Sequence, residues 1–248
     1  MRNNIESFKE AFRDFPDCYT IIGGMACEIL MDDAGRDFRP TKDIDMILIL
    51  EADHSVEFAK AFWEYIRRGG YHTGWRNSPD VHFYRFTDPN PGFPVQIELF
   101  SRNPNHEFQI PEGIIPIHIS DDVSSLSAIL LDDDYYQFML NGRESINGTT
   151  VLDAAHLIPF KMYAWLNLKD RKAAGEHVND RDLRKHRLDV FRLLTLVPGN
   201  TEIKCPGHIE GEVRRFLAEA AMTDQALQAA GIDISAEEGM DLLKRIYL

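Results

Sequence analysis

The sequence has few cysteines and no long apolar run. Cys18, Cys27 and Cys205 have neither the even number of a disulfide framework nor the CxxC spacing of a zinc site, so we expect small buried side chains. The longest apolar runs, such as residues 44–50, are far shorter than the roughly 20 residues of a membrane helix. The N-terminus shows no apolar signal region. These absences predict a cytoplasmic protein with no membrane partner.

Positive charge is also scarce. Lys and Arg number 27 against 40 Asp and Glu, which gives a formal net charge of −13. Broad binding to nucleic acid draws its affinity from many Lys and Arg side chains, so the composition argues against it. Residues 169–187 hold most of the concentrated positive charge, and they could form a local basic patch or a solvated helix surface. The nine histidines show no HExxH or other paired spacing, so we expect no zinc.

The pattern of residue types divides the chain in two. Strand and helix patterns alternate in the first part, and only helix patterns follow residue 151. Strands are expected at residues 19–22, 43–50, 71–75, 81–86, 95–100 and 114–118, with one or two hairpins in 127–151 around Asn141-Gly142 and Asn147-Gly148. Helices are expected at residues 3–15, from Gly23-Gly24 to Met31, and at 54–68, 153–172, 179–196, 208–222, 224–230 and 236–247.

We therefore predict an α+β fold in two domains, residues 1–150 and 151–248. The first would contain a mixed sheet flanked by helices, and the second would be all-helical.

The start of the strand expected at 43–50 is the most informative segment. Side chains two apart on a strand point to the same face, so Asp43 and Asp45 should lie side by side while Ile44 and Met46 occupy the opposite face. Two carboxylates a few ångströms apart repel each other, and a divalent cation relieves that repulsion. Hard oxygen ligands suit Mg²⁺ or Mn²⁺, so this pair predicts a metal site.

Two further features fit such a site. Glu98 lies opposite Ile97 and Leu99 on its strand and could supply a third carboxylate from a neighbouring strand. Three acids can hold two metal ions about 4 Å apart, one activating a hydroxyl and one stabilising a leaving pyrophosphate. Upstream, Gly23-Gly24 stands between a strand and a helix, where backbone N–H groups and the helix N-terminus favour phosphate.

Each feature also has a simpler interpretation. A DxD at the start of a strand is commonly a salt-bridged pair, a Gly-Gly before a helix is commonly a turn, and a single Glu on an exposed strand face is commonly solvated. Their occurrence in this order along one chain favours a common site.

In this order the residues resemble the signature of the DNA polymerase β-like nucleotidyltransferase superfamily. The signature residues are Ile22-Gly23-Gly24, the segment RPTKDID that ends at Asp45, and Ile97-Glu98-Leu99. Arg and Thr just before the DxD are most similar to the AbiEii/AbiGii toxin-type nucleotidyltransferases, many of which belong to toxin–antitoxin or phage-defence systems. The resemblance covers roughly residues 19–196, and Met25 replaces the small residue usual beside the second glycine.

The resemblance implies a nucleotidyltransferase-type sheet and roles for the matching residues. Gly23 and Gly24 would face the triphosphate of a bound NTP, the substrate. Asp43, Asp45 and Glu98 would be catalytic and would bind Mg²⁺ or Mn²⁺, with Glu98 as the third acid or the general base.

Two helical segments, LIPFKMYA and RKHRLD, resemble later motifs of the same family. Their match implies that Lys161 contacts phosphate, and that Lys185 and Asp189, one helical turn apart, complete the catalytic and nucleotide-binding site. Lys161 could equally extend from a core helix towards solvent, and Lys185 with Asp189 could be an ordinary i,i+4 pair. The nucleotide site would also include Arg39, Thr41 and Lys42 of the DxD motif.

The predicted function is transfer of a nucleoside monophosphate from an NTP to a hydroxyl on RNA such as tRNA, on a protein or on a small molecule. A cognate antitoxin would be a further partner. One alternative is a non-catalytic nucleotide-binding or regulatory protein of the same fold. A glycosyltransferase that holds a nucleotide-sugar through a DxD is another, but it would not need the glycine turn or the separate acid strand.

Overall fold

The computed structural model describes residues 5–49, 52–75, 84–101 and 133–248. Within them the chain forms a mixed sheet flanked by helices and a C-terminal part built from helices, as the sequence predicts. The strand expected at 114–118 and the first residues of the strand expected at 81–86 lie outside the described residues. No helix in the described ranges is both long and apolar enough to cross a membrane.

The described residues contribute seven strands to one sheet, in the order β3-β4-β5-β2-β1-β7-β6. The strands are β1 (Tyr19–Ile22), β2 (Asp43–Leu48), β3 (His72–Trp75), β4 (Tyr84–Thr87), β5 (Gln96–Ser101), β6 (Arg143–Ile146) and β7 (Thr149–Leu152). The pairs β2–β5 and β1–β7 are parallel, and the other pairs are antiparallel. All four residues of β1 are buried, because this strand lies near the middle of the sheet.

Three helices belong to the same part of the chain: α1 (Glu6–Phe12), α2 (Gly23–Asp33) and α3 (Ser55–Gly69). Phe8 and Phe12 of α1 and Phe58 of α3 form an aromatic core with Tyr19 of β1, with ring centroids 4.5 to 6.3 Å apart. Gly70 adopts a left-handed conformation with φ 64° and ends α3, as expected for a glycine at this position.

The prediction for residues 127–151 is half wrong. Its second half forms the hairpin β6–β7, whose turn Asn147-Gly148 has φ values of 50° and 76°, as a type I′ turn requires. Its first half, where residues 133–141 are described, is a helix, α4 (Asp133–Asn141). Tyr135, Phe138 and Met139 are buried at helical spacing, and their tertiary burial outweighs the strand propensity of Tyr and Phe.

Five helices follow the sheet, as predicted: α5 (Ala154–Ala173), α6 (Asp180–Leu194), α7 (Gly207–Glu219), α8 (Asp224–Ala229) and α9 (Ala236–Tyr247). Four of them begin after a side chain that accepts a hydrogen bond from a first-turn N–H. These N-capping residues are Asp153, Asn179, Thr223 and Ser235. Local capping chemistry therefore explains why these helix starts could be predicted closely.

The chain divides into two compact units. The sheet unit comprises Met1–Tyr136 and Arg143–Leu152, and the helical unit comprises Gln137–Gly142 and Asp153–Leu248. The assignment of residues 1–150 and 151–248 as separate domains stays a prediction.

Candidate active site

The acidic residues lie at one edge of the sheet because of the strand directions. β1 runs antiparallel to β2 with Ile22 opposite Asp45, so the end of β1 and the start of β2 share an edge. β5 runs parallel to β2, so its start lies at the same edge. The glycine turn that follows Ile22 therefore meets the DxD strand and the Glu98 strand in one place.

Asp43 and Asp45 share one face of β2, as predicted. Both are half-buried, whereas Ile44 and Met46 between and after them are fully buried on the opposite face. The alternation therefore places two carboxylates on one face at the beginning of the strand, while the apolar side chains on the other face pack into the core.

Glu98 is the direct neighbour of Asp45 across the parallel pair β2–β5. Its side chain is 5% exposed, so its carboxyl group lies in a low-dielectric environment beside a second acid. The structure therefore places Glu98 beside Asp45 on the neighbouring strand, and the joint role of Asp43, Asp45 and Glu98 stays a prediction.

Arg85 of β4 is the register partner of Glu98 on its other side, and sequence reasoning did not identify it. Its Nε and Nη2 donate to Oε1 of Glu98 at 2.6 and 2.5 Å, and Nε2 of Gln96 donates to the same oxygen at 2.6 Å. Asp45, Glu98 and Arg85 thus form a row across β2, β5 and β4, in which two adjacent acids are followed by one cation. A lone Arg on a short strand carries no motif, so only the strand order could reveal it.

The pKa of Glu98 is raised to about 7. Burial is the largest cause and the charge of Asp45 the second, whereas the charge and hydrogen bonds of Arg85 lower it. Asp43 raises the pKa least among the named groups, in keeping with its place one pair further along β2.

Gly23 is required by close packing against Asp45. It has φ +69°, and a Cβ added there would lie 2.0 Å from Oδ2 of Asp45. A Cβ at Gly24 would lie 2.9 Å from Cγ2 of Thr41, so the second glycine is packed against the DxD motif as well. The N-terminus of α2 therefore lies directly beside the acidic strand, and its backbone N–H groups favour an anion.

The residues before the DxD line the same region. The backbone N–H of Thr41 donates to Oε2 of Glu28 on α2 at 2.6 Å, and its Oγ1 is buried with no hydrogen-bond partner among the described residues. Lys42 is exposed, and its carbonyl accepts from the N–H of Val95 at 2.9 Å, which joins the loop to the start of β5. The Arg39 guanidinium lies 4.8 Å from the centre of the Phe38 ring.

Lys161, Lys185 and Asp189 belong to the helical unit. Lys161 and Asp189 are buried and form an ion pair between α5 and α6, with 3.6 Å between Nζ and Oδ2. Arg192 pairs with the other oxygen of Asp189 at 3.2 Å. Lys185 is half-buried on α6. The buried ion pair of Lys161 with Asp189 links these two helices, and the roles of Lys161, Lys185 and Asp189 in nucleotide binding stay predictions.

The donor set suits a hard divalent cation. Asp43 and Asp45 offer carboxylate oxygens beside Glu98, the chemistry that Mg²⁺ and Mn²⁺ prefer. In the part of the chain that the structure describes, no three His, Cys, Asp or Glu side chains are already grouped closely enough to hold a metal ion. Gathering all three acids would therefore require Glu98 to share its carboxylate with Arg85 or leave it.

Comparison with known proteins gives loose structural similarity. No protein-family model matches the sequence, and no curated protein matches it. A candidate nucleotidyltransferase from H. pylori is similar with 10% identity and a TM-score of 0.40, covering 98% of this chain and 88% of that one. JHP933 from Helicobacter pylori is similar with 13% identity and a TM-score of 0.39, covering 96% and 85%.

Replacing Gly23 by Ala tests the contact with Asp45. We expect the Gly23→Ala variant to lose about 1–2 kcal/mol from its positive φ, and more from the overlap with the Asp45 carboxylate. Gly35→Ala is the matched control, since Gly35 has φ +68° but no atom within 4 Å of an added Cβ. Urea unfolding should show the larger loss at Gly23. Equal losses for the two variants would contradict the close contact.

The raised pKa of Glu98 can be measured by ¹³C NMR of its carboxyl group without divalent ions. We expect a value near 7, falling in Asp45→Asn because one of the two largest causes of the upward shift is removed. Asp43→Asn should lower it less. A wild-type pKa in the ordinary range for Glu, or an equal response to the two variants, would refute this description of the electrostatics.

Proposed function

We propose that the chain is a metal-dependent nucleotidyltransferase that moves a nucleoside monophosphate from an NTP to an acceptor hydroxyl. The observation that carries the proposal is the register of three strands, which sets Asp45 beside Glu98 and packs Gly23 at the start of α2 against Asp45. A helix N-terminus that favours phosphate thus lies against Asp45, on the strand that carries the DxD motif.

The glycine turn and the loop before β2 would bind the nucleotide. Backbone N–H groups at Gly23-Gly24 would bind triphosphate oxygens, with Thr41 Oγ1 as a further hydrogen-bonding group beside them. The positive charges of Arg39 and Lys42 would add to nucleotide binding from the loop before β2.

Asp43 and Asp45, with Glu98 as the third acid, would hold Mg²⁺ or Mn²⁺. The bound cation would supply positive charge that offsets the repulsion between these carboxylates and the triphosphate and stabilises the leaving pyrophosphate. The reaction joins the acceptor hydroxyl oxygen to the α-phosphorus and breaks the bond from the α-phosphorus to the oxygen that leaves with pyrophosphate. Glu98, beside Asp45, would accept the hydroxyl proton.

The distribution of charge favours a protein or small-molecule acceptor over tRNA. The sheet unit carries 13 Lys and Arg against 25 Asp and Glu, whereas the helical unit carries 14 against 15. Within residues 169–187, Lys169 pairs with Glu219, Arg171 with Glu176 and Lys172 with Asp180. Three of the seven Lys and Arg in this stretch are thus paired with acids inside the helical unit, which leaves less positive charge for the phosphates of RNA.

The resemblance of the DxD motif to toxin-type nucleotidyltransferases suggests a role in a toxin–antitoxin or phage-defence pair. Under that role the acceptor would be a component of the cell, and a cognate antitoxin would bind this chain.

The direct test is transfer of label from each α-labelled NTP with Mg²⁺ to tRNA, to protein and to small molecules of a cell extract. We expect label in one fraction with the wild type, and at least about a hundredfold less with Asp43→Asn or Asp45→Asn, because charge stabilisation is lost. Asp37→Asn, which changes an exposed acid in the preceding loop, should retain full transfer. Label transfer that is indifferent to Asp43 and Asp45 would refute the proposal.

The second candidate function is nucleotide binding without turnover. Neutralisation of Glu98 by Arg85 favours it, since a carboxylate with a fixed counter-cation is a weaker metal ligand and base. Equilibrium dialysis with labelled NTP, run beside the transfer assay, separates the two: binding without any transfer would support the non-catalytic protein.

A further inference from the structure

Arg85 lies opposite Glu98, and the proposed reaction gives it no role. Its side chain is 22% exposed and makes two short hydrogen bonds, from Nε and Nη2 to Oε1 of Glu98. Gln96, two residues before Glu98 on β5, adds a third donor to the same oxygen. We call these three residues, Arg85, Gln96 and Glu98, the Glu98 clamp.

The clamp supplies positive charge to an acidic cluster from within the protein. Glu98 is buried beside Asp45, and an uncompensated buried carboxylate is costly, so an internal cation stabilises the site without a metal. All three donors bind Oε1, and no hydrogen bond to Oε2 is found among the described residues. One carboxylate oxygen is therefore saturated, and the charge of the whole group is largely offset.

A divalent ion would compete with Arg85 for that charge. A carboxylate binds a metal through the lone pairs of its ionised form, and a carboxylate with one oxygen already bound by two N–H groups of a guanidinium is a weaker ligand. The competition is local, because Arg85 and Asp45 lie on the two sides of Glu98 in the same row across β4, β5 and β2.

We propose that Arg85 is a built-in counter-cation of Glu98 that competes with the divalent metal and so sets the affinity with which the site recruits it. Arg85 is a positioning residue in this role, since it acts through Glu98. The inference rests on the proposed metal site at Asp43 and Asp45. It predicts that metal binding weakens the Arg85–Glu98 ion pair.

Binding of Mn²⁺ alone, followed by the EPR signal of the free ion at one alkaline pH, tests this without any turnover. Arg85→Gln should bind Mn²⁺ about tenfold more tightly than the wild type, because the competing charge is gone. Arg67→Gln is the matched control: Arg67 is exposed on α3, and its loss changes the net charge equally. It should leave the affinity nearly unchanged.

A double-mutant cycle decides whether the gain passes through Glu98. We expect the gain in Mn²⁺ affinity from Arg85→Gln to disappear in the Glu98→Gln background, because that background has no carboxylate for Arg85 to hold. A gain that persists in the Glu98→Gln background, a gain no larger than that of Arg67→Gln, or weaker binding in Arg85→Gln would each overturn the proposal.

Gln96→Met gives a second variant that keeps the charge of the site. It removes one donor from Oε1, so it should tighten Mn²⁺ binding by a smaller factor that again depends on Glu98. Unchanged binding in Gln96→Met would contradict the clamp if Arg85→Gln failed to fold. Failure of the proposed function would look different: Mn²⁺ would bind Asp43→Asn/Asp45→Asn as tightly as it binds the wild type.

Discussion

The pairing of β2 with its two neighbours is the constraint on which the site depends. Asp45 faces Ile22 on β1 and Glu98 on β5 at the same level of the sheet. Side chains alternate between faces, so a slip of one residue in either pair would send a carboxylate into the apolar core or separate Asp45 from Glu98. The buried side chains of Ile44 and Met46 resist such a slip, because their burial requires the acids to point to the other face.

That constraint explains why part of the site was predictable. The glycine turn, the DxD strand and the single-acid strand can each be recognised from local residue patterns. The three strands concerned, β1, β2 and β5, form as expected. The sequence placed the glycine turn and Asp45 in one site, but it did not predict how closely Gly23 packs against Asp45. That distance depends on the antiparallel register of β1 and β2. The order of strands in a sheet depends on long-range pairing, and a single sequence does not predict it.

The features that sequence reasoning missed are long-range or context-dependent. Arg85 reaches Glu98 only because β4 pairs with β5, and no residue near it in the sequence indicates an ion pair. The segment of helix α4 was expected in a hairpin because Asn141-Gly142 is a strong turn signal, whereas its buried residues follow the helical period. Lys161 and Asp189 were expected in the nucleotide site but not as partners of each other. The structure shows an ion pair between them, with Arg192 as a third member, and their roles in nucleotide binding stay predictions.

The central claim is that the acidic strand and the glycine turn together bind a metal–triphosphate complex. A crystal structure with Mn²⁺ and a non-hydrolysable NTP analogue, with anomalous scattering recorded at the manganese edge, tests it most directly. The account predicts a manganese peak at the carboxylates of Asp43 and Asp45, with the triphosphate at the N-terminus of α2 beside Gly23. Manganese bound elsewhere, or a triphosphate distant from the glycine turn, would contradict it.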